Sequence, residues 1–371
     1  MRIVNKLFYL YLQKMLEIEA LHTIDTEYSA DSIEWCSHPS YNNYFVCGTY
    51  QLEGNNAQST SPPCRRKGRI YLYQFDKDAL VVNELHRLET AAILDMKWLP
   101  ELQNASVHQP ILATANALGQ IEIFQIIETN LKKISSLELN PTYHNLLALS
   151  IDWDTRMSLQ TNDDTKNLLA SDSRGDISLI RFTYRGDLQK ICTWSAHNFE
   201  AWICAFDKWN ENHVYTGGDD TFLHIYDIRT QSRVLLNKSH MAGVTCLLSH
   251  PNTEHLLLTG SYDEHLRAFD TRAMKQPLSE INLKGGIWRL KCDPLKRNLI
   301  LTACMYHNFS IAQVAEPRSP IVVGEFNEHN SICYGADWCL NARPDDKQLF
   351  MATCSFYDHK LCIARVNEKQ N

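Results

Sequence analysis

The stretch Thr216-Gly217-Gly218-Asp219-Asp220, followed by Ile225-Tyr226-Asp227-Ile228-Arg229, decides the fold. It returns one unit later as Thr259-Gly260-Ser261-Tyr262-Asp263, followed by Ala268-Phe269-Asp270-Thr271-Arg272. Each copy reads as a strand, a tight acidic turn and a second strand closing on an aromatic residue and Asp. That unit is the core of a WD-repeat blade, and its return at a fixed period predicts a β-propeller. In such a ring the sheets carry the fold and the loops at the mouth carry the chemistry.

The ends of the first strands extend the count in both directions. In the second half they are Phe206, Leu248, Cys292 and Trp338, separated by 42, 44 and 46 residues. WD-type blades repeat at about 40–45 residues. In the first half the equivalents are Trp35, Trp98 and Trp153, spaced more widely by the loop-like insertions Gly54–Lys67 and Met157–Lys166. Second strands are expected from Tyr44–Gln51 through Leu349–Cys354, and third strands from Arg69–Phe75 through Lys360–Val366. The chain ends before the seventh blade has an outer strand, and the alternating stretch Glu17–Asp25 is suited to supply it. The expectation is an all-β, seven-bladed WD-repeat propeller over residues 16–371, closed by an N-terminal strand, with eight blades as the alternative. Residues 1–15 read as an extension rather than a secretory signal, because their apolar run is short and Lys14 follows it.

Composition narrows the function. A hydrophobic content of 44% is enough for a sizeable core. The net charge of −7 argues against nucleic acid, which calls for a basic stripe. No stretch has the length and apolarity of a membrane span. The twelve cysteines contain no C-x-x-C and sit mostly in apolar strand-like runs. They predict buried free thiols in a reducing, cytoplasmic setting and no metal site. No glycine-rich nucleotide loop and no G-x-S-x-G elbow is present, so neither a nucleotide cofactor nor a serine-esterase elbow is expected. The protein is expected to be a monomer.

Some polar residues belong to blade building. His197 and His240 precede first strands, and Asp220 and Asp263 occupy the turns of the same blades. They are expected to pair through Thr216 and Thr259, since buried polar groups need partners. Asp227–Arg229 and Asp270–Arg272 close third strands, where they brace a blade or dock on a ubiquitin-ligase adaptor.

Other residues are left over. Asp219, Tyr262, Tyr306 and Tyr357 lie beside the acidic turns of consecutive blades. Glu200, Trp202, Trp288 and Tyr334 lie where the chain enters first strands. Both sets are expected at the upper mouth, forming an aromatic, mildly acidic bowl suited to a quaternary ammonium. The alternative is that the rings only pack between blades. His265 and His359 follow acidic turns and are candidates to activate a water, or strand residues with no chemistry.

Several strings go beyond the generic repeat: Thr26–Cys36 (TEYSADSIEWC), Cys47–Leu52, Ala92–Trp98, Phe199–Trp202, Thr259–His265, Lys284–Arg289 (KGGIWR), Tyr334–Trp338 and Ala352–His359 (ATCSFYDH). From about Leu21 to Val366 they resemble the diphthine methyl ester hydrolase family, WD-repeat proteins of diphthamide biosynthesis also named diphthine methyltransferases. The resemblance implies a protein substrate, translation elongation factor 2. It also implies removal by water of a methyl ester from a modified histidine that carries a trimethylammonium group. The bowl would then hold the cation through Trp202, Trp288, Tyr262, Tyr306, Tyr334 and Tyr357, with Glu200 or Asp219 adding charge. His265, His359, Asp219 and Glu200 are the candidates to activate water, and the N–H groups at Gly217-Gly218 or Gly285-Gly286 to bind an oxyanion. The competing class is a non-catalytic WD-repeat scaffold or ubiquitin-ligase substrate receptor.

Overall fold

The computed structural model describes residues 15–52, 66–100, 109–155, 165–315 and 319–369. The N-terminal extension and most of the two insertion loops lie outside them. Arg66, Lys67, Thr165 and Lys166, read from sequence as loop ends, instead begin strands.

Seven antiparallel sheets form the blades of a ring. Their inner strands are Ala30–Trp35, Ile93–Trp98, Ala148–Trp153, Ile203–Phe206, Val244–Ser249, Gly286–Cys292 and Cys333–Trp338. Each inner strand lies beside that of the next blade, and the seventh returns to the first. Blade 5 corrects one boundary. Ser249, not Leu248, opposes Leu257 as Phe206 opposes Val214. The position is small there because Ser249 Oγ accepts the Lys208 N–H at 3.2 Å.

Blade 7 is completed from the other end of the chain. Leu16–Asp25 runs antiparallel to Lys360–Glu368, from Leu16 opposite Glu368 to Asp25 opposite Lys360. This strand covers the edge that Lys360–Glu368 would otherwise leave open and becomes the outer strand of the blade.

The tryptophans ending inner strands explain how blades are held together. Trp98 Nε1 donates to Glu34 O of the preceding blade at 3.2 Å, Trp153 Nε1 to Lys97 O at 3.1 Å, and Trp338 Nε1 to Lys291 O at 3.0 Å. Carboxylates work the other way. Asp95 accepts Ile151 N–H, Asp152 accepts Phe206 N–H and Asp337 accepts Trp35 N–H, at 3.0, 2.8 and 2.8 Å. Trp35, Trp153 and Trp338 are also among the largest fully buried side chains. Burial of an aromatic ring contributes about 2–3 kcal/mol, so these joints are both packed and hydrogen-bonded.

The expected His–Thr–Asp link forms in blade 4. His197 Nδ1 meets Asp220 Oδ1 and Nε2 meets Thr216 Oγ1, both at 2.9 Å. In blade 5 it forms by half. His240 Nε2 reaches Thr259 Oγ1 at 2.9 Å, but Nδ1 is buried without a partner among the described residues. Arg267 has taken Asp263 instead, with Nη1 2.8 Å from Oδ2. A third network was not evident from sequence. His329 bonds Ser355 Oγ and Thr353 Oγ1 at 2.5 and 2.8 Å, and Ser355 passes the contact to Asp358.

The Asp-x-Arg pairs brace their own turns rather than neighbouring blades. Arg229 Nη2 lies 2.5 Å from Asp227 and Arg272 Nη2 2.7 Å from Asp270. Both arginines stay about two-thirds exposed, at the end of the ring opposite the acidic turns.

Candidate functional site

Most inner strands lose ladder register near their upper end. The break falls at Asp31, Leu94, Leu149, Thr245, Trp288 and Tyr334-Gly335. A bulge releases a residue from pairing and re-aims its side chain. In blade 4, Trp202 stands just before the strand at the same position. Each blade thus contributes a residue to the top of the channel, and blades 4 to 7 contribute three aromatics.

Thr245 is the small member of that series, and its hydroxyl turns into the backbone toward Gly260 O and Ile287 O. Over it, Trp202 and Trp288 meet with ring centroids 5.7 Å apart. Tyr262 completes the cluster, 6.0 Å from each tryptophan. Gly243 makes room for it, since a Cβ there would come within 3.0 Å of the Tyr262 ring and 2.9 Å of Asp219 Oδ1. Trp288 continues to Tyr334 at 5.2 Å, Tyr334 to Phe356 at 5.4 Å, and Phe356 to Tyr357 at 5.0 Å and Tyr50 at 6.0 Å. The belt is continuous from blade 4 round to blade 1.

Its acidic members are in place. Trp202 Nε1 donates to Asp219 Oδ1 at 3.0 Å, and the Asp219 N–H donates to Glu200 O at 2.9 Å. The Tyr262 hydroxyl is pushed up by burial first, then by Asp219, Glu200 and Tyr306. Tyr334 is pushed up by burial, then by Asp31, Tyr262, Tyr306 and Tyr357. At the rim Tyr306 is 81% exposed and Tyr357 72%. Tyr306 also has φ 59°, a left-handed conformation that bulky residues rarely adopt. A cleft of about 580 Å³ runs between these two rings over His329, Ser331 and Asp358.

All six predicted aromatics, with Asp219 and Glu200, are therefore gathered at one mouth. The two histidines are not part of the belt. His265 begins a third strand, paired with Asn282 of the outer strand, and its Nδ1 bonds Asp263 O at 2.6 Å. His359 has φ 52° and uses its carbonyl to hold Thr26 N–H at 2.9 Å. Of the oxyanion candidates, the Gly218 N–H is committed to Phe222 O at 3.3 Å.

Sequence reading missed Tyr50 and Phe356, and everything below the belt. Arg289 reaches across the channel to blade 2, with Nη2 3.0 Å from Asp95 Oδ1 and 3.1 Å from Leu94 O. Beneath it Lys97 and Lys291 both hold Glu34 Oε1. Burial raises the Glu34 carboxyl, but the two ammonium groups outweigh it and hold it at about 2. Asp31 lies at the junction of belt and channel, and burial pushes its carboxyl up to about 8. The signal that finds these residues is the blade period itself, laid over the inner strands of both halves.

A seven-bladed ring with a polar channel and a ligand-sized mouth is a WD-repeat β-propeller, and the model of the WD domain, G-beta repeat, matches residues 231–270. The chain is 39% identical over 337 residues to the diphthine methyltransferase of Mus musculus, covering 86% of this chain and 69% of that one. It is 33% identical over 384 residues to the diphthine methyltransferase homolog of Dictyostelium discoideum, covering 91% and 96%. The chain belongs to the diphthine methyltransferase family. Among solved structures, one chain of the mitotic checkpoint complex superposes with a TM-score of 0.67 at 16% identity, covering 96% of this chain and 94% of that one, which shows the shared fold.

Proposed function

We propose that this protein acts in diphthamide biosynthesis as a methyl ester hydrolase, cleaving the ester of methylated diphthine on translation elongation factor 2 to diphthine and methanol. The observation that carries this is the belt from Trp202 to Phe356 with Asp219 fixed against it. Such a surface attracts a trimethylammonium group through ring quadrupoles, at about 0.5–2 kcal/mol per well-placed ring. Exposed Tyr306 and Tyr357 give a protein substrate apolar contact at the rim. The reaction requires only water as co-substrate.

The family's name, methyltransferase, describes a different direction of methyl traffic. An assay with purified protein, methylated elongation factor 2 and no added cofactor separates the two. Methanol release and loss of one methyl group from the modified peptide support the hydrolase. An unchanged peptide overturns it.

A second role is favoured by one observation. Arg229 and Arg272 are both about two-thirds exposed on the face away from the bowl. That leaves them accessible to a ubiquitin-ligase adaptor while the mouth is occupied. Capture of such an adaptor that is lost in the double variant Arg229→Ala, Arg272→Ala would support this role, and equal capture would remove it. The buried free thiols are in keeping with a cytoplasmic setting.

A further inference from the structure

Three carboxylates of the inner strands have backbone partners that explain them. Asp95 accepts Met96 and Ile151 N–H groups, Asp152 accepts Phe206, and Asp337 accepts Trp35 and Trp338. Asp31 differs. It is 7% exposed, and among the described residues no group donates a hydrogen bond to its carboxylate. A buried carboxylate left without a donor is costly, and among the described residues of blade 1 no group offsets it.

Its position is defined by the backbone. The bulge between Ala30 and Ser32 frees Asp31 at the register position that in other blades presents Trp288 and Tyr334. Blade 7 lies directly against it. A Cβ on Gly335 would come within 2.8 Å of Ile33 N and 3.0 Å of Ser32 C, so the Tyr334–Gly335 bulge seats on the Asp31 strand. The charged and titratable groups facing Asp31 are Arg289 from blade 6, Asp95 from blade 2, and Tyr334 and Cys354 from blade 7. Arg289 spends Nη2 on Leu94 O and Asp95, leaving Nε and Nη1 unengaged among the described residues.

We infer that Asp31 is the general base of the hydrolysis and that Arg289 holds the oxyanion, both at the floor of the aromatic bowl. The inference rests on the hydrolase reading above. With the trimethylammonium against the belt, the neighbouring ester lies toward the channel. Asp31 takes a proton from water as the water oxygen bonds to the ester carbon. The carbonyl electron pair moves to oxygen and is met by the guanidinium. Collapse re-forms the carbonyl and breaks the bond to the methoxy oxygen, which takes the proton back from Asp31 and leaves as methanol. The net change is ester plus water to acid plus methanol, with the Asp31 carboxylate restored. Burial sets its proton affinity near working pH, the condition for an effective base.

The test uses the full chain with methylated elongation factor 2. Asp31→Asn is expected to lower kcat by about 100-fold or more, while binding of the unhydrolysed substrate changes by less than about threefold. Asp31→Glu is expected to recover part of the rate. Wild-type kcat is expected to rise with pH and level off above about pH 8. Turnover by Asp31→Asn near the wild-type rate overturns the inference alone. A flat wild-type profile between about pH 6 and pH 9 overturns it without any variant, should Asp31→Asn fail to fold. A wild-type protein that binds the substrate and releases no methanol overturns the hydrolase reading, and the inference with it.

Discussion

Trp202 and Trp288 belong to blades that are not neighbours, yet their ring centroids lie 5.7 Å apart. Blade 5 stands between them and presents only Thr245 at that level, with its hydroxyl turned into the backbone. One small residue therefore joins two aromatic positions into a surface. Thr245→Leu is expected to part the indoles and weaken binding of the trimethylammonium substrate. Trp202→Leu and Trp288→Leu are each expected to weaken it by about tenfold, within the range of a partly desolvated cation–π contact. The check is calorimetric titration with the methylated peptide and with a neutral analogue bearing a tert-butyl group. The indole changes should cost the cation more than the analogue.

Asp31 makes a prediction about stability that is independent of activity. Its carboxyl is pushed up to about 8 by burial, against about 3.9 in an unfolded chain. Between those values the native state holds a proton that the unfolded state has released, so stability falls as pH rises through the window. Asp31→Asn removes that dependence. The variant should gain on wild type progressively from about pH 4 to pH 8, reaching a few degrees in Tm. Thermal unfolding at about pH 5 and pH 8 measures it. A loss of stability at the higher pH would mean Asp31 has a structural partner.

His329 runs in the opposite direction. Burial holds its imidazole down to about 4, against about 6.5 unfolded. The unfolded chain therefore binds a proton first on acidification, and stability is lost as pH falls from about 6.5 toward 4. His329→Gln breaks the contacts to Thr353 and Ser355 and should cost about 2–4 kcal/mol near pH 7.5. The cost should be smaller by about 2 kcal/mol at pH 5, where wild type already carries the proton penalty. Urea unfolding at both pH values supplies the comparison.

Ring closure is open to covalent test. Thr23 lies opposite Cys362 across the strand pair that unites the two ends of the propeller. Thr23→Cys places two thiols at cross-strand spacing, within the range a disulfide spans. The oxidised form should be more stable than the reduced form by about 2–4 kcal/mol. No gain on oxidation would contradict the pairing of these two strands at the ring's closure.

The fold was legible because its period and its turn chemistry agree. The acidic turns at Asp220 and Asp263 locate second and third strands, and the terminal tryptophans locate first strands. The bowl was legible because aromatics next to turns have no blade-building use. What escaped was set by register. Asp31 sits in a string that reads as ordinary strand, and only the bulge shows that it leaves the ladder. Arg289 reads as a strand residue, and its crossing to Leu94 depends on ring closure. The His240–Asp263 pair was expected from spacing, but Arg267, four residues on from Asp263, competes for the same carboxylate. His265 and His359 drew notice as histidines; in the structure the His265 ring bonds the Asp263 carbonyl, and His359 holds Thr26 through its own carbonyl.

The most direct measurement is hydrolysis of methylated elongation factor 2 in water enriched in heavy oxygen, with the masses of both products recorded. Cleavage by water at the acyl carbon predicts one heavy oxygen in the new diphthine carboxylate and none in the methanol. An unlabelled carboxylate, with the methyl group carried to another acceptor or its oxygen labelled in methanol, would contradict a hydrolase acting at the floor of the bowl.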